Sequence, residues 1–218
     1  MLSEGDARAA LDELVKVLER EHRRSRIYIV GGAALMLHFG ARVATKDIDA
    51  QITPLDEVQP LILEVARRRG LADDWLNGAA AMHVPPHVDD PNPTILIETE
   101  HVIASVASAQ MLLAMKIRAS RGRQDLGDII FLVGEVGVSS VAAAVELYER
   151  FYPEDPLRDR ALRILEAVFS EGADRTLHQW PRRDSTGLKP CPSVFLSALW
   201  CTSQNPMDCE FAYFPSSR

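Results

Sequence analysis

The sequence predicts an α+β protein, and three observations predict it. Runs of strand-forming residues gather in the first half of the chain, and helical runs fill the second. A buried strand enters Gly31-Gly32 and gives way at once to a helix. A second extended segment then alternates apolar and acidic residues, carrying Asp47 and Asp49 on one face.

From Ser3 to Arg23, Ala7, Ala10, Leu11, Leu14, Val15 and Leu18 recur at helical spacing behind Ser3, a suitable N-cap. Arg26 to Val30 is a short run of β-formers that ends in the diglycine. Ala33 to Phe39 suits a short helix, with Gly40 where a helix end often needs a left-handed residue. His38 on this apolar helix reads as a core or boundary histidine.

Thr45 to Ile52 is extended again, with Ile48, Ala50 and Ile52 on one face and Asp47, Asp49 and Gln51 on the other, until Pro54 ends it. Leu55 to Arg69 is helical and Gly70 stops it; Asp74 to Ala81, around WLNGAA, suits another short helix. His83 to Pro93 holds four prolines and reads as a loop, and Thr94 to Ala104 as one long strand. Four helical segments follow, over 107–120, 124–136, 139–151 and 156–170. The expected organisation is an α/β lobe over 1–104, a helical lobe over 105–171 and a disordered or non-native tail over 172–218. That tail holds all three cysteines and five of the thirteen prolines and has no sustained periodicity.

Bulk properties exclude several classes. At 218 residues and 47% hydrophobic, the chain can bury a sizeable core. The opening MLSEGDARAA is acidic where a signal peptide would be basic, and the longest apolar stretch, 27–37, falls short of the roughly 20 residues a membrane span needs. A cytoplasmic protein with no membrane partner is expected. The net charge of −7 argues against nonspecific nucleic-acid binding, so a polynucleotide would have to be met by local basic patches. Three exist: 22–26, Arg67-Arg68-Arg69, and Lys116 with Arg118, Arg121 and Arg123. Each alone also reads as a solvated helix face or end.

The chemistry concentrates at the acids and the glycines. Asp47 and Asp49, about 7 Å apart at Cα on an extended backbone, can converge on one divalent ion, and magnesium takes one or two carboxylates together with phosphate oxygens and water. The alternative is a polar outer face on an edge strand. A strand running into Gly31-Gly32 and a helix lets backbone N–H groups approach an anion. Neither GxGxxG nor GxxxxGK[ST] is present.

In that order and spacing, GGAALMLHFGARVATKDIDAQI resembles the GG…DxD signature of the DNA polymerase β nucleotidyltransferase superfamily. More narrowly it is similar to AbiEii-type toxin nucleotidyltransferases and their uncharacterised bacterial relatives, with Thr45-Lys46-Asp47-Ile48-Asp49 standing where they have T-[KR]-D-[IL]-D. The likeness extends to DWLN at 74–77, LLAMKIRASR at 112–121, QDLGD at 124–128 and the ELYERFYP helix ending at Pro153, covering roughly 26–168.

The resemblance implies a small mixed-sheet lobe followed by a helical lobe. It implies that Gly31, Gly32, Thr45 and Lys46 hold an NTP while Asp47 and Asp49 bind Mg²⁺. It also implies a third carboxylate from a later strand, for which Glu98 and Glu100 are the candidates. Lys116 matches a family lysine that serves the triphosphate, with Lys46 second. Arg121, Asp125 and Asp128 are either nucleotide-site residues or a structural salt-bridge network. The expected activity is toxin-type transfer of an NMP to an RNA end, such as that of tRNA, or to a protein hydroxyl, with a cognate antitoxin as partner. The alternatives are transfer to a small molecule, as in antibiotic nucleotidyltransferases, and a catalytically degenerate nucleotide-binding or interaction module.

Overall fold

The computed structural model describes residues 1–85 and 89–170, without the side chains of 123 and 124. The expected tail over 172–218 lies outside these residues. A two-residue strand β1 (Leu2–Ser3) leads into α1 (Glu4–Arg20), capped as expected: Asp6 N–H donates to Ser3 Oγ at 3.1 Å, and the Asp6 carboxylate reaches back to Ser3, closing a capping box. β2 (Ser25–Ile29), α2 (Gly31–Leu37), β3 (Ala44–Thr45), β4 (Ile48–Thr53) and α3 (Leu55–Arg69) follow. Gly70 ends α3 in the left-handed region at φ +64°, where glycine carries no Cβ penalty.

The next stretch departs from the sequence expectation. Asp74–Ala81 holds no helix; it contains β5 (Leu76–Asn77), followed by a single 3₁₀ turn over Ala81–His83. β5 pairs in parallel with β4, and fully buried Trp75 anchors it by donating its indole N–H to Ile62 O at 3.1 Å. Pairing with a distant strand and burial of one indole outweigh the weak helical preference of six residues. Thr94–Ala104 is likewise not one strand but a hairpin, β6 (Thr94–Glu98) and β7 (Val102–Val106), turning at Thr99–His101. Thr99 closes that turn, its N–H bonding Val102 O at 2.9 Å.

β5-β4-β2-β7-β6 form one mixed five-stranded sheet, in which β2 runs antiparallel to β4 and parallel to β7. Ile27, Ile29, Ala50, Ile52, Val102 and Ala104 point to one face, all buried against the side where α1 and α3 pack. Each isoleucine and valine among them contributes about 1.5–3 kcal/mol by leaving water. Arg26, Tyr28, Asp49, Gln51, Ile103 and Ser105 point the other way and stay at least partly exposed. Alternation thus gives the sheet one structural face and one open face.

The helical lobe begins at α4 (Ala109–Ala119), N-capped by Ser108, and continues with α5 (Arg123–Val136), α6 (Val141–Phe151) and α7 (Asp159–Phe169). α4 packs on the other three. Among the described residues, no single helix is long and apolar enough to cross a membrane.

Candidate active site at the diglycine bend

β2 and β4 are joined where the chain turns, because Val30 N–H donates to Asp49 O at 2.9 Å. Gly31 follows at φ +67°, and a Cβ placed on it would stand 3.1 Å from Asp49 Oδ2. Both the left-handed backbone and the carboxylate against it require glycine there. A Cβ on Gly32 would meet Arg42 Nη1 at 3.2 Å and Thr45 Oγ1 at 3.4 Å. The diglycine bend and the acidic strand therefore meet. At seven residues α2 is too short to bring much dipole to this point, so positive charge in the site comes from side chains.

Asp47 lies in the bend just before β4, and Asp49 is the second residue of that strand. Buried Thr45 fixes the bend by donating its hydroxyl to Asp47 O at 3.0 Å. Burial first, and then the neighbouring Asp47 carboxylate, push the Asp49 carboxyl above its ordinary range, against the pull of Arg121, Lys116 and His83. Among the described residues, nothing donates a hydrogen bond to either carboxylate, and no third His, Cys, Asp or Glu joins them in a ligand cluster. Two close, half-buried, unsatisfied carboxylates fit a divalent cation that draws its remaining oxygens from phosphate and water. Lys46 is exposed and makes no ion pair among the described residues.

Lys116 stands behind this pair. Its ammonium is buried, 2.9 Å from Asp125 Oδ1 and 2.7 Å from Asp128 Oδ2. Arg42 grips Asp128 with both Nε (3.0 Å) and Nη2 (2.6 Å), and Asp125 Oδ2 accepts from Arg121 N–H at 2.8 Å. Burial alone would raise the Asp125 carboxyl; the bonded Lys116 ammonium overcomes that and holds it below its ordinary range. The chain Arg42–Asp128–Lys116–Asp125–Arg121 thus ties the loop beside Gly32 to the end of α4. Its cations and anions satisfy one another, with the Lys116 ammonium held between two carboxylates.

A cavity of about 380 Å³ opens beside Asp49, lined by Asp49, Ala79, Ala80 and His83 on one side and by Arg118, Ala119, Arg121 and Arg158 on the other. Three guanidiniums face one carboxylate. Arg118 is held at 2.7 Å by Asp155 and lies over the Tyr152 ring, 4.9 Å from its centroid. Tyr152 donates its hydroxyl to His83 O at 2.6 Å, fixing the opposite wall. Arg121 Nε reaches Asp125 Oδ2 at 3.4 Å, and the side chain remains 60% exposed.

Sequence reasoning reached Arg121 but missed Arg42, Arg118, Arg158 and His83 as site residues. Arg42 lies inside the quoted glycine–aspartate motif, which was its only signal. Arg158 and His83 gave none, being brought in from 109 and 34 residues beyond Asp49 by packing of the helical lobe and the strap after β5.

Glu98 and Glu100 are not brought to the aspartates. Glu98 pairs with Ile103, level with Arg26, which places it four residues, about 13 Å, down the sheet from Asp49 and three strands across. Glu100 sits in the hairpin turn beyond it. Both are exposed, and the hairpin that replaces the single expected strand is the reason. The residue across from Asp49 is instead Asn77. Its amide is engaged locally, donating to Asp74 O at 3.1 Å and accepting from Ala79 N–H at 2.9 Å. His38 sits at the core boundary, 3.2 Å from Thr94 Oγ1.

A family model described as "Nucleotidyltransferase of unknown function (DUF6036)" matches residues 8–162. No curated protein and no solved structure matches the chain.

Proposed function

The chain belongs to this nucleotidyltransferase family, and on that premise we propose that it transfers an NMP from a magnesium-bound NTP to an acceptor hydroxyl. One observation carries the reading: the Asp49 carboxylate lies against the Gly31 bend, with an arginine-lined cavity opening beside it. Asp47 and Asp49 would hold the Mg²⁺, which when bound neutralises charge on the phosphates and polarises the α-phosphorus. Arg118, Arg121 and Arg158 receive the β- and γ-phosphates, where guanidiniums give charge-assisted, paired hydrogen bonds. Their position fixes the direction in which pyrophosphate departs.

Likeness to AbiEii-type toxins favours an RNA end, such as that of tRNA, and a cognate antitoxin; the same chemistry serves a protein hydroxyl or a small molecule, and a second cavity on the sheet face favours the last. Incubating the protein with Mg²⁺, each α-labelled NTP, total RNA, protein and small hydroxyl compounds separates these by where the label goes. A second reading, nucleotide binding without transfer, draws support from Asn77 standing across from Asp49 where an acid would complete the site. Saturable, Mg²⁺-dependent NTP binding with no labelled product would favour it, whereas transfer to any acceptor excludes it.

A further inference from the structure

A second cavity, about 710 Å³, opens on the same face of the sheet, within the roughly 300–1,000 Å³ of small-molecule sites. Tyr28, Gln51 and Ser105 form its floor, from the three central strands. Gln51 follows Asp49 by two residues on β4, so both side chains leave the sheet in the same direction from Cα atoms about 7 Å apart. Met111, near the start of α4, closes this cavity, while Arg118 and Ala119 at its end close the arginine-lined one. The strap after β5 divides them, with Ala79, Ala80 and His83 facing the arginines and Ala81, Met82 and Val84 facing the sheet.

We infer that the sheet-face cavity is the acceptor subsite, and that its acceptor is a small hydroxyl-bearing molecule that is uncharged or carries an amine. This rests on the nucleotidyltransferase reading. In phosphoryl-type displacements the attacking and leaving oxygens lie roughly in line through phosphorus. With pyrophosphate departing into the arginines on one side of Asp49, the hydroxyl must approach from the other, along the open sheet. The acceptor oxygen bonds to the α-phosphorus as the bond from that phosphorus to the α,β-bridging oxygen breaks. Pyrophosphate takes the electron pair, and the hydroxyl proton goes to water.

Charge selects the class. Among the described residues, Asp89 and Asp90 line this cavity against one cation, Arg26. Asp90 is built in, accepting from Tyr28 OH at 2.6 Å and Ser108 N–H at 2.7 Å, so it pins the strap to β2 and α4. Burial, and then this carboxylate, push the Tyr28 phenol far above its usual range, keeping it a donor. An RNA end would need cations for its flanking phosphates, and the described lining offers Arg26 alone; of the neighbouring basic clusters, Arg23, Arg68 and Arg69 are already paired with Glu57, Glu64 and Glu13.

The test uses the full chain with Mg²⁺ and α-labelled NTPs. It offers amino alcohols and amino sugars, neutral polyols, sugar acids and total RNA as separate acceptors. Label is expected on neutral or amine-bearing compounds. Ser105→Trp, which places an indole in the cavity, should raise acceptor KM at least ten-fold while NTP binding changes less than two-fold. Asp89→Lys, at an exposed position that leaves the core untouched, should raise KM for amine-bearing acceptors more than for neutral ones, and it keeps the test open if the tryptophan variant fails to fold. Label on RNA or on sugar acids overturns the inference, as does acceptor KM unmoved in both variants, or NTP binding with no labelled acceptor. Absence of NTP binding in the parent protein overturns the nucleotidyltransferase reading itself.

Discussion

The two cavities at opposite ends of α4 share a sheet face, a strap and a helix, yet among the described residues one is lined by three arginines and a carboxylate and the other by more carboxylate than cation. The backbone frame is common to both; the charge is set by a handful of side chains placed on it. A single face can in this way hold apart two ligands of opposite electrostatic demand, provided an acidic pair stands between them to join both. Asp49 lines the arginine cavity and Gln51, two residues further along β4, lines the other, so the boundary falls at this end of β4.

The sharpest way to break the comparison is to remove the boundary. Asp47→Asn with Asp49→Asn should cut transfer by several kcal/mol of transition-state stabilisation, about 10³-fold, and abolish Mg²⁺-NTP-dependent gains in thermal stability. Stability without metal should not fall. Because burial and Asp47 raise the folded-state pKa of Asp49, its ionisation opposes folding above that pKa, and the opposition is relieved as pH drops through it toward the ordinary carboxylate range. Thermal melts of the metal-free parent should therefore show this relief, and the double variant should lack it. Unaltered transfer in the variant would remove the metal assignment.

The ion-pair frame that ends at Arg121 is tested next. Lys116→Met leaves Asp125 and Asp128, both nearly inaccessible, without their common ammonium. Breaking such a buried pair costs about 3–5 kcal/mol, here toward the lower end because Arg42 and Arg121 still hold one acid each. Urea denaturation measures it. A change under about 1 kcal/mol would mean the lysine is not part of this frame.

Within the cationic cavity alone, Arg121→Ala and Arg158→Ala should each raise the KM for NTP roughly 10- to 100-fold, the worth of a hydrogen bond to a charged group, and leave acceptor KM unchanged. Equal effects on both substrates would merge the two cavities into one site. The smallest effect is expected far from either. Glu19, bonded to Thr99 and His101 at the hairpin turn, has its carboxyl lowered to about 2. A lowered pKa stabilises the fold above the ordinary carboxylate range and loses that contribution as pH falls toward 2. The melting temperatures of Glu19→Gln and the parent should accordingly converge over that acid window, with neither substrate affected at neutral pH.

Much of the site was legible because its parts are local. Gly31 and Asp49 stand eighteen residues apart in sequence, and a strand, a short helix and a second strand were enough to predict that they meet. The buried alternation of Ile48, Ala50 and Ile52 left Asp49 on the opposite face, as their spacing required. The third-carboxylate expectation failed for a physical reason: Glu98 and Glu100 share a strand-like run, but where that run folds back depends on pairing of β6 with β7 and β7 with β2. β5 was read as helix because six residues hold too little periodicity to overrule a partner strand that the local pattern does not reveal.

By itself, the sequence determined the α+β order of elements, the start of α1, the limits of α3, and the meeting of a glycine bend with Asp49, since each follows from periodicity and backbone sterics within a few dozen residues. Only the tertiary structure decided which side chains surround that bend. Arg158 and His83 reach it, Glu98 does not, and Lys116 turns inward to two aspartates, because these placements depend on long-range packing of helices and strands, for which no local pattern codes.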